Sequence, residues 1–353
     1  MLKALEYFGR NLILRLFGAR SCRTLGELGE PRSILVIRID PRVGNVIMLT
    51  AFLTDLKAMY PSAGITLLGP SKAEVLLGNA PSLSAFWGFD KKRLQGPNGW
   101  RKTLERLRST AFDLVIDASN PTSPSTTQAL LSLMSRTSAR LGFKHGNNQS
   151  PYDLTVAPLD VEAHENAQRL QLLSRLGRLP SVPSLPNLTH LVPSLSSAMD
   201  AWLSQEGLSN FVVINIGARL AEKRLKAEDY RSLIHEIAGL NLGLDILLTY
   251  GPDEADLAQN SAASTNARFA PRTDLIELAT LFYRADCVVT CDTGPMHLSV
   301  ALGTPTCGIF VTTAPSRYGY QTERHTRLDA RQGLTPALTA EVIEWVGKTS
   351  RRI

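Results

Sequence analysis

The sequence predicts an α/β chain built from two doubly wound parallel-sheet domains, and three observations predict it. Short apolar, β-branched runs alternate with segments of helical periodicity from residue 33 onward. The alternation breaks once, in a stretch rich in proline and serine, and then restarts. The length of 353 residues exceeds what one typical core organises. Two βα-alternating halves joined by such a stretch imply two doubly wound sheets facing each other across a central cleft.

Taken in order, residues 33–39 (SILVIRI) are a compact apolar run of the kind buried on both faces of a parallel sheet. The loop Asp40-Pro41-Arg42-Val43-Gly44 follows, then a helical stretch that runs to Tyr60 and is stopped by Pro61. A strand at 65–68, a helix opening at 71–77 and a charged helix at 100–108 come next. Residues 112–117 (FDLVID) form another buried strand, with a polar loop at 118–125. A strand at 139–143 and a helix at 164–176 complete this half. Pro180, Pro183, Pro186 and Pro193, interleaved with serines and without periodicity, mark the linker. The second half reads as strand 211–215, helix 227–240, strand 245–248 and helix 253–261, then helix 275–283, strand 287–291, helix 295–302 and strand 306–310. A last helix covers 336–348. The expected organisation is an N-terminal basic segment (1–32), an N-terminal sheet domain (33–180), the linker (181–194) and a C-terminal sheet domain (195–353).

Composition narrows the function class. Apolar residues make up 44% and charged residues 20%, ordinary for a globular protein and too apolar for disorder. The net charge of +6 favours anionic partners: a nucleotide, a phosphorylated glycolipid or a membrane surface. No basic run interleaved with aromatics is present, so nucleic acid is not an expected partner. No apolar run approaches the ~20 residues that span a bilayer. Near the N-terminus Leu5, Phe8, Leu12 and Leu16 form one stripe beside Lys3, Arg10, Arg15 and Arg20. That segment reads either as an interfacial helix on anionic lipid or as a helix docked on the domain surface. Cys22, Cys287, Cys291 and Cys307 lack zinc spacing and read as reduced thiols of a cytoplasmic protein.

Chemistry is expected in the strand-to-helix turns, because ligands of such sheets bind outside the carboxyl ends of the strands. In Cys291-Asp292-Thr293-Gly294-Pro295-Met296-His297 a buried strand runs into a helix with proline in its first turn. The free N–H groups of Thr293 and Gly294, backed by the helix dipole, make an anion site. The alternative is a ligand-free helix capped by Asp292 or Thr293. After strand 211–215, Gly217 admits a phosphate, and Lys223 and Arg224 complement diphosphate charge or simply form a solvated basic loop. After strand 245–248, a carboxylate of Tyr250-Gly251-Pro252-Asp253-Glu254 either accepts from ribose hydroxyls or sits as an ordinary first-turn acid. Three such turns on one sheet edge point together to a nucleotide-diphosphate site.

These motifs carry a family resemblance. IDPRVGN followed by VIMLTAFLTDLKAMYP resembles the opening of glycosyltransferase family 9, the heptosyltransferases. NIGARLAEKR, YGPDE and CDTGPMHLSVALGTPTCGIFVTTAPSRYG are similar to its C-terminal motifs, in the same order, and HENAQRLQLLSRLG also fits. The resemblance spans residues 33–320, with DTGPMHL and ALGTP its most specific part. It implies a GT-B fold, inverting transfer from an ADP-activated heptose without a catalytic metal or other cofactor, and a lipopolysaccharide-core or related envelope glycan as acceptor. It also implies work at the cytoplasmic membrane face. By resemblance Lys223 binds donor phosphate with Gly217, Asp292, Thr293, Gly294, Pro295 and Met296 around it; Glu254 contacts ribose, and the role of His297 stays open. Arg42, Gly44 and Asp117 fall to the acceptor side.

One departure matters. The family commonly has Gly-Asp at the end of the first loop, and that aspartate is the expected general base; this chain has Gly44-Asn45. An amide accepts no proton at useful pH. Asp40 takes over the role, or Asp117 does, or the chain binds both substrates without efficient transfer; Asn45 then orients the acceptor hydroxyl. Donors other than ADP-heptose, for O-antigen or capsule synthesis, stay open alongside. Asp-x-Asp, Gly-x-Gly-x-x-Gly after Ile39 and Gly-x-Ser-x-Gly are all missing, which disfavours metal-dependent transferases, dinucleotide oxidoreductases and α/β-hydrolases.

Overall fold

A computed structural model describes residues 29–90, 97–123, 125–144, 151–177 and 184–350. Most of the N-terminal basic segment, including Cys22, and the first part of the linker lie outside the described residues. The chain divides into two units, 1–184 and 185–353.

In the first unit β1 (Ser33–Ile37), β2 (Gly64–Pro70), β3 (Ala85–Phe89), β4 (Ala111–Asp117), β5 (Arg136–Phe143) and β6 (Leu154–Val156) form one sheet. All pairings are parallel, in the order β3-β2-β1-β4-β5-β6. The helices are α1 (Val43–Met59), α2 (Glu74–Leu77), α3 (Pro97–Ser109), α4 (Thr126–Met134) and α5 (Glu165–Ser174). Ile34, Leu35, Val36 and Ile37 are all fully buried, as a central strand covered on both faces requires.

The second unit repeats the plan. After α6 (Ser197–Gln205) come β7 (Phe211–Asn215), α7 (Ala227–Gly239), β8 (Asp245–Thr249), α8 (Ala255–Ala262), β9 (Arg268–Phe269), α9 (Leu275–Arg284), β10 (Cys287–Cys291), α10 (Gly294–Ala301), β11 (Thr306–Phe310), α11 (Pro315–Tyr318), β12 (His325–Asp329) and α12 (Pro336–Ser350). The strand order is β12-β11-β10-β7-β8-β9, again parallel throughout. Val212, Ile214, Val289, Ile309, Leu233 and Val342 share its core. Cys287, Cys291 and Cys307 are buried free thiols.

Both units are doubly wound, as the alternation of runs predicts. The sequence reading passes over β3, α4, β6, α6, β9, α11 and β12. The strands among them all sit at sheet edges, where fewer buried residues leave a weaker apolar signal. In each sheet the strand order reverses between the first strand of the unit and its neighbour: β1 beside β4, and β7 beside β10. That switch point opens a crevice at the carboxyl ends of those strands. It selects four loops out of all the connections in the chain. No described helix is long and apolar enough to cross a membrane.

Candidate active site

At the switch point of the second unit, Asn215 closes strand β7. Its Nδ2 donates to Gly217 O at 3.0 Å and to Thr290 Oγ1 at 3.1 Å, while its Oδ1 accepts from Thr249 Oγ1 at 3.0 Å. One buried amide therefore fixes the ends of β7, β8 and β10 relative to each other. The sequence reading left Asn215 unassigned. A lone amide at the end of an otherwise apolar strand is the signal that could have flagged it.

Two of the predicted loops meet here. Lys223 Nζ donates to Asp292 Oδ2 at 2.5 Å and lies 3.4 Å from Asp292 O. The same Oδ2 accepts from Thr313 Oγ1 at 2.5 Å. Asp292 is 5% exposed, so its charge is held by Lys223 and by a hydroxyl that sequence reasoning did not single out. Asp292 therefore does not cap α10. Thr293 occupies the N-cap position in extended conformation without a side-chain cap hydrogen bond; its hydroxyl lies 3.4 Å from Thr290 Oγ1. Pro295 stands in the first turn. Neither side chain donates or accepts a cap hydrogen bond at this helix start.

The helix behind this turn is almost entirely buried. The Met296 side chain packs with Val300, Phe310 and Tyr320, and a Cβ on Gly308 would lie only 2.7 Å from its Sδ. Core packing thus takes the Met296 thioether. His297 is 4% exposed, its Nδ1 is 2.9 Å from Tyr320 OH, and the two rings meet edge to face.

The third loop joins through Arg224. Its Nε donates to Ala218 O at 2.8 Å, and its second guanidinium nitrogen donates to Glu254 Oε1 at 2.6 Å. Glu254 is buried, directly beside Gly251 and Gly217.

In the first unit the crevice is lined by a dense charge cluster. Arg38 is 1% exposed; it donates to Ala118 O at 2.8 Å and stands 3.6 Å from Asp40 Oδ2. Burial, then the nearby charge of Arg169, lowers its pKa to about 10, so it stays cationic at neutral pH. Asp40 accepts from the Arg42 backbone N–H at 2.9 Å, from Arg42 Nε at 2.9 Å and NH2 at 2.6 Å, and from Asn45 Nδ2 at 2.7 Å. Burial on its own would raise the Asp40 pKa. The Arg42 hydrogen bonds, the Arg38 charge and the Asn45 amide outweigh it and hold the carboxyl well below the usual carboxylate range. Asp40 is a fixed anion and, so held, a weak proton acceptor. Gly44 lies buried in the first turn of α1, next to Asn45.

Asp117 does something else. It is fully buried and accepts from Tyr152 OH at 2.5 Å, Ser119 N at 2.9 Å and Gln128 Nε2 at 2.9 Å. Gln128 also donates to Ile37 O at 2.9 Å. Desolvation raises the Asp117 pKa, only partly offset by these donors. The expectation that Asp117 touches the acceptor or serves as base fails sterically, because its donors enclose it; it ties β1 to β4 and to Tyr152. Gly142→Ala tests this tie, since a Cβ there would lie 2.5 Å from the Tyr152 ring and push the phenol off Asp117. We expect a loss of about 1–3 kcal/mol in urea denaturation, the range for overpacking; an unchanged midpoint would show that Tyr152 moves freely.

Residues 100–344 match the model of glycosyltransferase family 9 (heptosyltransferase). The chain belongs to glycosyltransferase family 9. It is therefore a glycosyltransferase. It is 24% identical to lipopolysaccharide heptosyltransferase 3 of Escherichia coli over 296 residues, 76% of this chain and 81% of that protein. Among solved structures, a family 9 glycosyl transferase from Veillonella parvula superposes with a TM-score of 0.76 at 20% identity, covering 91% of this chain and 98% of the other. E. coli heptosyltransferase WaaC with ADP-2-deoxy-2-fluoro heptose gives 0.69 at 19% identity, covering 88% and 99%. These likenesses establish the family's GT-B fold for this transferase, as the sequence motifs imply.

Proposed function

We propose that this family 9 transferase moves a heptose, or a closely related sugar, from an ADP-sugar to lipopolysaccharide core or a related envelope glycan, with inversion at the anomeric carbon. The observation that carries the reading is the meeting of Lys223, Asp292 and Thr313 beside the uncapped start of α10. The names of the relatives point the same way: a lipopolysaccharide heptosyltransferase in E. coli, and a heptosyltransferase bound to an ADP-heptose analogue.

In the reaction the acceptor hydroxyl oxygen bonds to the anomeric carbon while the bond from that carbon to the diphosphate oxygen breaks. Negative charge grows on the departing diphosphate. Lys223 and the Thr293–Gly294 N–H groups, with the dipole of α10 behind them, stabilise that charge. Gly217 leaves room for the phosphate to approach the backbone. On the acceptor side Asn45, held by Asp40 through its amide nitrogen, keeps its carbonyl oxygen to orient the attacking hydroxyl. Asp40 takes the proton once Arg42, whose side chain is 56% exposed, is drawn away from it. A second reading is favoured by Asn45 and by the depressed Asp40 pKa: donor binding with slow transfer. Product formation on purified glycolipid acceptor separates the two. A peripheral position on an anionic membrane face, through the basic N-terminal segment, completes the proposal.

The donor is tested by thermal unfolding. At one hundred times its Kd a ligand stabilises the fold by about 2.7 kcal/mol. ADP-sugars are expected to raise Tm more than UDP- or GDP-sugars at equal concentration; equal shifts with all three would overturn the assignment of the nucleotide.

A further inference from the structure

Arg224 does more than add charge to a basic loop. Its guanidinium leaves the short 3-10 turn Ala221–Lys223 and reaches two other segments at once. Nε and NH2 share Ala218 O at 2.8 and 2.5 Å, and NH2 also reaches Glu254 Oε1 at 2.6 Å. The two side chains are 16% and 7% exposed. A planar fork can hold both acceptors together; a lysine ammonium on its flexible stem has no such fixed geometry.

The pairing is one-sided. Arg224 occupies Oε1 of Glu254, whereas Oε2 accepts a hydrogen bond from none of the described residues. That oxygen sits in a notch made by two glycines. A Cβ on Gly251 would lie 2.5 Å from Oε2, and one on Gly217 would lie 3.7 Å from it and 3.3 Å from Gly251 N. The loops after β7 and β8 thus abut where the carboxylate emerges, and a Cβ on Gly251 would crowd that oxygen out of its present place. A carboxylate oxygen accepts hydrogen bonds and donates none, so this one calls for N–H or O–H donors.

We propose that Arg224 is a positioning residue for nucleoside recognition: it clamps Oε1 of Glu254 so that Oε2 is presented, between Gly217 and Gly251, to the vicinal hydroxyls of the donor's ribose. This rests on reading the rim of the second sheet as the donor site. It also divides the labour of one turn between neighbouring residues. Lys223 turns to Asp292 and the phosphate side, and Arg224 turns to Glu254 and the nucleoside side.

The test is calorimetric titration of the full-length protein with ADP and with 2′,3′-dideoxy-ADP. The unsubstituted protein is expected to bind ADP about tenfold more tightly or better, the scale of one charged hydrogen bond. Arg224→Met keeps the aliphatic stem and removes the fork. It is expected to bring the two affinities within about twofold of each other, as a freed carboxylate rotates into solvent. Arg224→Lys, which retains the charge, is expected to fall between, and it carries the test if Arg224→Met does not fold. Equal weakening of both nucleotides with the preference intact would overturn the proposal and leave Arg224 as a loop tie only. Glu254→Gln distinguishes the two levels. If the unsubstituted protein binds neither nucleotide, the donor-site reading of this rim fails and the proposal with it. If it binds both without preference, or keeps the preference in Glu254→Gln, the ribose contact of Glu254 fails and the proposal with it, while the donor-site reading stands. If Glu254→Gln loses the preference and neither Arg224 variant does, only the role of Arg224 fails.

Discussion

Asp40→Asn is expected to remove about 3–5 kcal/mol of folding stability, the cost of taking one partner from a buried charge pair. Arg38 is 1% exposed, and its Nε and NH2 have no hydrogen-bond partner among the described residues. Asp40, 3.6 Å away, supplies its nearest stabilising charge, with Glu165 further off and already bonded to Arg169 at 2.7 Å. Three guanidiniums, of Arg38, Arg42 and Arg169, are balanced by two carboxylates, of Asp40 and Glu165; the substitution leaves one. The sign of the pH dependence follows from the depressed Asp40 pKa. A carboxyl whose folded pKa lies below its unfolded value of about 3.9 stabilises the fold above that value, and the contribution is lost as pH falls below it. Urea denaturation from pH 7 down to pH 3 checks both points. The unsubstituted protein should lose stability below about pH 4, and Asp40→Asn should show less of that loss. A change under about 1 kcal/mol at pH 7 would mean that Arg38 is neutralised by other means. Measured well below the unfolding temperature, turnover should drop about 10²–10⁴-fold, the worth of a positioned base. Full turnover would take Asp40 out of the proton path.

Lys223→Ala is expected to weaken ADP-sugar binding by about 1.5–3 kcal/mol, the range for hydrogen bonds to charged groups. Two effects add. The variant loses the cation proposed to face the diphosphate, and it strands Asp292, 5% exposed, with Thr313 alone among the described residues holding its Oδ2. A bare carboxylate beside an incoming diphosphate repels it. Asp292→Asn in the Lys223→Ala background should therefore recover part of the affinity, which a simple count of lost contacts does not predict. Calorimetry with an ADP-sugar measures both variants. Unchanged affinity in Lys223→Ala would remove the lysine from the donor site, and no recovery in the double variant would remove the repulsion.

The acceptor half shows where a motif reading stops. DPRVGN on its own makes Asp40 the replacement for a missing base. The structure surrounds that carboxylate with Arg38, Arg42 and Asn45, so its basicity depends on whether Arg42 stays. Asp117, at the end of a strand beside the switch point, sits where a catalytic carboxylate would, yet Tyr152, 35 residues further on, encloses it. Met296 lies inside the most specific motif of the chain, and its side chain belongs to the core.

Apolar periodicity by itself determined that this chain forms two parallel α/β sheets, and the turn chemistry determined that Lys223, Glu254 and Thr293–Gly294 follow the ends of strands. Those are local properties, written into a few consecutive residues by side-chain period and backbone preference. Only the tertiary structure decided which strand ends are neighbours. The β10-β7-β8 order brings Lys223 to Asp292 across 69 residues and Arg224 to Glu254 across 30, and places Asn215 between all three loops. The physical reason is that a hydrogen bond between distant loops depends on sheet order and register. Those are settled by the packing of the whole core, and no single stretch of sequence carries them.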